Sequence, residues 1–125
     1  MSNATTVAVK KSMEDPDEVL DFVKGRVHLV KVGDVTFDRA VFEPGWKWSE
    51  HVKPLAGTES CEFPHRFFVT EGSIHVRMDD GAELEVGPGD AAVIAPGHDA
   101  WVTSDVACVM WGIDGADQDF GRRKD

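Results

Sequence analysis

The 125-residue sequence is short of bases, thiols and long apolar runs, and each shortage excludes something. Its 13 Lys and Arg stand against 23 Asp and Glu, a formal net charge of -10. A field of that sign repels a phosphate backbone, so nucleic acid is not an expected partner. Two cysteines, Cys61 and Cys108, are too few for a disulfide framework. The stretch MSNATTVAVKKSMEDPDE has no apolar signal core, and a cytoplasmic chain with free thiols is the expectation. No apolar run approaches the roughly 20 residues of a membrane helix, so no membrane partner is expected. Internal repeats and low-complexity segments are missing too.

What is present suits one domain: a loose arm over residues 1–14, a folded unit over 15–115 and a polar tail over 116–125. Asp15-Pro16-Asp17-Glu18 combines an N-cap acid, a proline at the first helical position and Glu18 three residues after Asp15, which predicts a short helix stopped by Gly25. From Gly25 onward β-branched and aromatic residues come in short runs punctuated by glycine, proline and Asp-Gly pairs, an all-β rhythm. Strands are predicted over 26–32 and 35–42, the second with Val35, Phe37 and Val41 on one face and Phe42 on the other. Trp46 to Val52 alternates like a strand, with the tryptophans on one face and His51 on the opposite one. Residues 53–60 have loop content. Cys61, Phe63, His65, Phe67 and Val69 then share a face by period 2.

Ile74, Val76 and Met78 alternate with Ser73, His75 and Arg77, and Asp79-Asp80-Gly81 turns the chain into a returning strand with Leu84 and Val86 inward. Gly87-Pro88-Gly89-Asp90 leads into the apolar run 91–95, and Pro96-Gly97 presents His98 before strands over 100–103 and 106–113. Roughly eight to ten short strands without alternating helices mean a sandwich or a barrel.

Two stretches of this pattern resemble the motifs of the cupin family, jelly-roll barrels that often hold a metal near the barrel axis. Gly89 to Ala100, after Gly87-Pro88, resembles the second cupin motif; its histidine position is Ala100, and His98 stands one strand period earlier. The first motif is kept in part. Beyond Gly45, five intervening residues lead to His51, but Lys53 stands where the second histidine would be. Counted back from Gly72, His65 falls at the glutamate position, Cys61 at the second histidine and Glu59 at the first. The resemblance implies an all-β, cupin-like jelly-roll β-barrel with a short N-terminal helix or arm. The family hosts dioxygenases, isomerases, lyases and non-catalytic binding proteins on one scaffold, so the fold does not name a reaction.

The candidate metal ligands are His51, Cys61, His65 and His98. His65 is the strongest, because it follows Pro64 on a face otherwise made of Phe63, Phe67 and Val69, where an imidazole needs a metal or a hydrogen-bond partner. Cys61 lies about 13 Å from it along an extended strand, so sharing one ion requires a bend near Pro64; a small buried thiol is the other reading. Cys108 reads as packing. Histidines suit a divalent Zn, Fe, Ni or Mn ion, and a thiolate shifts the choice toward Zn or Fe. No residue is assigned as catalytic. Two functions stay open: a metal-dependent enzyme of oxygenase or isomerase type on a small molecule in the barrel, or a non-catalytic small-molecule binding or sensor protein with a degenerate site. A homodimer is expected, with Trp46 and Trp48 as core or dimer surface.

Overall fold

A computed structural model describes residues 8–62 and 64–113. Nine strands form two antiparallel sheets: β1 (Glu18–Phe22), β2 (Gly25–Val32), β3 (Val35–Phe42), β4 (His65–Glu71), β5 (Ile74–Met78), β6 (Glu83–Val86), β7 (Ala91–Ile94), β8 (His98–Val102) and β9 (Cys108–Ile113). The larger sheet runs β1-β2-β3-β9-β4-β7 and the smaller β6-β5-β8. Val27, Leu29, Ala40, Phe42, Val69 and Met110 of the first meet Ile74, Val76, Val86, Ala100 and Val102 of the second in one buried core. Each of these strands places alternate residues inward, so short strands with period-2 apolar positions build a jelly roll.

The helix predicted after Asp15 does not form. Residues 18–22 instead pair with β2, from Glu18 opposite Leu29 to Phe22 opposite Gly25. The Asp17 carboxylate accepts from the Lys31 backbone N–H at 2.7 Å and from Lys11 Nζ, tying the start of this strand to β2. A helix of barely two turns cannot recover its nucleation cost alone, whereas a strand here gains a neighbour's hydrogen bonds and packs Leu20 and Phe22 on the core.

A second departure lies at Trp46 to Val52. The chain forms two four-residue helices, α1 (Trp48–His51) and α2 (Lys53–Ala56), the latter within the predicted loop and closed by Gly57 at φ 76°. Trp48 and Val52, one turn apart, are both buried, and Trp46 stacks on Phe42 with ring centres 3.9 Å apart. Both tryptophans therefore belong to the core, and neither offers a dimer surface.

β3 divides between two faces as its alternation predicts: Thr36, Ala40 and Phe42 are buried, and Phe37 on the other face is 40% exposed. The third correction is Leu84, expected inward with Val86 but exposed while Val86 is buried. The predicted tail over 116–125 and Phe63 lie outside the described residues.

Candidate metal centre

Three of the four predicted ligands converge, and the bend that the sequence requires is what brings them together. The stretch from Cys61 to Val69 is not one strand. β4 begins only at His65, while Cys61 forms an isolated bridge with His98. The chain turns between them, and Cys61 Sγ lies 3.5 Å from His65 Nε2. His98 opens β8, and its ring packs edge-on to His65 with centres 5.1 Å apart. One ligating atom from each of Cys61, His65 and His98 falls within 4.8 Å of the others.

The structure does not bring His51 into this group. It ends α1, and its Nδ1 accepts from the Lys47 backbone N–H at 3.0 Å, at the start of the same helix. Helical rather than extended geometry at 48–51 turns the ring back on its own segment.

The donor set fits a transition metal. Bonds of about 2.3 Å to sulfur and 2.0 Å to nitrogen at tetrahedral angles put two donors about 3.5 Å apart, as Cys61 and His65 are. The His98 Nδ1–H donates to the Ala95 carbonyl at 2.9 Å, because a carbonyl can only accept. That bond leaves Nε2 with the lone pair, the usual outer support of a ligating histidine. Burial, with a smaller contribution from His98, pushes the His65 imidazole down to about 3. Burial also lowers His98, against the opposing pull of the Ala95 carbonyl, Asp79, Asp99 and Glu62. Both rings are thus neutral near pH 7, the form that ligates.

These side chains line a cavity of about 50 Å³ walled by Phe42, Trp46, Trp48, Phe67, Ile94 and Met110 among others. That is a few times the space one water needs, so the cavity suits a small molecule. The Trp46 indole Nε1–H is buried without a hydrogen-bond partner among the described residues. An orphaned buried donor in a cavity wall calls for an acceptor supplied from outside the chain, such as a ligand or water.

Asp38 was not singled out by the sequence reading. It lies on the face of β3 shared by Thr36, Ala40 and Phe42, opposite Gly112, where a Cβ would stand 2.8 Å from its Oδ2. Gly112 in turn lies opposite Phe67, and His65 is two residues further along the same face of β4. Burial alone pushes the Asp38 carboxyl up to about 6. The available signal was an acid at period 2 from Ala40 and Phe42. Cys108 is fully buried and its thiol is pushed up to about 11, in keeping with packing.

Comparison with known proteins agrees with this architecture. A family described as the EutQ-like cupin domain matches residues 51–110, which include Cys61, His65 and His98. Among solved structures, a polyketide cyclase from Streptomyces resistomycificus is similar at 18% identity over 86% of this chain and 78% of its own, with a TM-score of 0.58. An RmlC-like cupin from Shewanella frigidimarina NCIMB 400 matches at 14% identity over 85% of this chain and 89% of its own, with a TM-score of 0.56. An oxalate decarboxylase from Lactobacillus farciminis, solved as a formate complex, matches at 17% identity and a TM-score of 0.58; the match covers 81% of this chain and 31% of that one. Likeness at these identities is likeness of fold. No curated protein sequence matches the chain. With its jelly-roll sheets and a cupin-domain match over residues 51–110, this chain has the cupin fold. Among the described residues no helix is long and apolar enough to cross a membrane.

Proposed function

We propose that this protein is a metal-binding cupin that acts on a small molecule held in the barrel, with Cys61, His65 and His98 as the ligands of one divalent ion. The observation that carries the reading is the meeting of a thiol and two imidazoles, within 4.8 Å of one another, at the wall of an apolar cavity. A thiolate beside two imidazoles favours Zn or Fe over Ni or Mn. Bound there, such an ion supplies Lewis-acid polarisation or, if redox-active, oxygen activation, and three protein ligands leave a position open. The chain's own part is to exclude bulk water with Phe42, Phe67 and Met110, and to present the Trp46 indole to an acceptor on the ligand.

The competing reading is a non-catalytic binding or sensor protein. What favours it is the cavity wall, which beyond the thiol and two histidines contains no carboxylate or cation. We further infer a single folded unit over 15–115, a cytoplasmic setting and a homodimer. With Trp46 and Trp48 buried, support for the dimer moves to the outer face of the larger sheet, where Phe37, Phe68 and Val93 are exposed. A monomer by light scattering at micromolar concentration would remove the dimer.

The test is metal analysis of protein purified without chelator, followed by cobalt titration. About one ion per chain is expected, with thiolate-to-cobalt absorption that disappears in Cys61→Ser and affinity lowered at least about tenfold in His65→Ala and His98→Ala. His51→Ala should bind like the parent. Absence of stoichiometric metal, with cobalt binding indifferent to all three ligand changes, would overturn the reading.

A further inference from the structure

Outside the barrel, on the far side of β5 and β8 from the cavity, lies an open cleft of about 560 Å³ lined by Lys47, Ser49, Arg77, Asp79 and Asp99 among others. Lys47 reaches this face because it bridges Trp101 on β8, and Arg77 because it stands opposite Asp99 in the β5–β8 pair. The Lys47 Nζ lies 5.1 Å and the Arg77 guanidinium carbon 5.8 Å from the centre of the same Trp101 ring. An indole attracts each cation, but it does not neutralise either of them.

In a chain of net charge -10 these two cations would be expected to carry carboxylate partners, and among the described residues neither has one. The reason is that the acids of the cleft are engaged elsewhere. Asp99 Oδ1 accepts from the Ser49 and Ala100 backbone N–H groups at 3.1 and 2.9 Å. Asp79 Oδ2 accepts from the Ser60 hydroxyl at 2.9 Å, and Glu59 pairs with Lys53 at 3.1 Å. Those bonds fix the Asp99 and Asp79 oxygens without removing their charge, so what Lys47 and Arg77 keep is free N–H donors, both cations being held within 6 Å of one ring centre at the edge of an open cleft. Donors of two cations against one ring can be shared by the oxygens of a single bound group.

We propose that this cleft is a second ligand site, specific for a small oxyanion, carboxylate or phosphate, bridged between Lys47 and Arg77 over Trp101. Arg77 supplies the planar fork that matches two oxygens of one group, and Lys47 a mobile point charge for a third. The site does not depend on the metal reading, since it shares no lining residue with the cavity.

The experiment is an amide and indole NMR titration of the full chain with inorganic phosphate and, separately, with malonate, each against sodium chloride at matched ionic strength. Saturable shifts at Lys47, Arg77 and the Trp101 indole are expected with at least one probe, and which probe saturates at lower concentration distinguishes phosphate from carboxylate ligands. Lys47→Gln with Arg77→Gln should weaken binding at least about tenfold. The charge-keeping Lys47→Arg should retain it, as should His65→Ala, which impairs only the cavity site. Shifts no larger than those in chloride, or saturable shifts that survive the double change in protein still folded by its amide spectrum, would overturn the proposal.

Discussion

Cys61 and His98 are joined backbone to backbone: the Cys61 N–H donates to the His98 carbonyl at 2.7 Å, and the His98 N–H donates back at 3.3 Å. Gly97 adds a third bond, its N–H to the Cys61 carbonyl at 2.7 Å. The thiol and one imidazole are therefore held in place by main-chain hydrogen bonds that exist whatever their side chains bind. Such a site is preorganised, so ligand-removing changes should alter metal affinity without unfolding the barrel.

Asp38 makes stability fall as pH rises. Its folded value is raised from 3.8 to about 6, so between those values the folded state holds more protons than the unfolded one. Stability is fully present below about pH 4, declines through pH 6 and is level above it, a loss of about 2–3 kcal/mol. Asp38→Asn, which cannot ionise, should be about 2 kcal/mol more stable than the parent at pH 8 and equal to it at pH 4. Urea unfolding at the two pH values checks this, and an unchanged difference between them would refute it.

His75 acts in a later pH window. Its Nδ1 meets Glu85 Oε1 at 2.8 Å and its Nε2 meets Glu83 Oε1 at 2.6 Å, so both nitrogens must donate and the imidazolium is favoured. Glu85 first and Glu83 second raise its pKa. The stabilisation is fully present below the unfolded value near 6.5 and is lost as pH rises through the raised folded value. Because the cluster is solvent-facing it is worth no more than about 1 kcal/mol. His75→Gln should flatten the stability profile above pH 6.5 and leave the Asp38 window untouched, as urea midpoints across pH 5–9 would show.

Gly72 sits at φ 70°, and a Cβ there would collide with the Ala107 carbonyl oxygen and stand 2.7 Å from Cys108 Cα. Both are backbone atoms beside a fully buried residue and have nowhere to move. Gly72→Ala should cost about 3 kcal/mol or more. Gly33→Ala, at φ 62° with open space around it, should cost only the left-handed penalty of about 1 kcal/mol. Equal denaturant midpoints for the two variants would contradict the packing argument.

Local chemistry made much of this molecule legible. The Asp-Gly turn marked the β5–β6 hairpin, the Gly-Pro-Gly turn the crossing from β6 to β7 in the other sheet, and strands over 26–32 and 35–42 stood within a residue of β2 and β3. Period 2 also identified Ile74 and Val76 as inward. The same local rules failed where a long-range partner decided. Residues 15–18 carry a sound helix start, yet β2 supplied residues 18–22 with a better partner. Trp46 and Trp48 alternate like a strand, but a helical turn buries Trp48 together with Val52 while Trp46 stacks on Phe42.

The candidate site divides along the same line. By itself the sequence determined an all-β sandwich or barrel, with its likeness to cupin motifs adding the jelly roll, and a short roster of candidate metal ligands, because turn residues and side-chain periodicity act over a few residues. Which of those side chains meet was decided only by the tertiary structure. Cys61 and His65 are far apart on any straight strand and become neighbours when β8 pulls Cys61 onto His98; His51 drops out when its segment coils. The pairing of Cys61 with a strand more than 30 residues away is a contact between surfaces, and no local pattern encodes it.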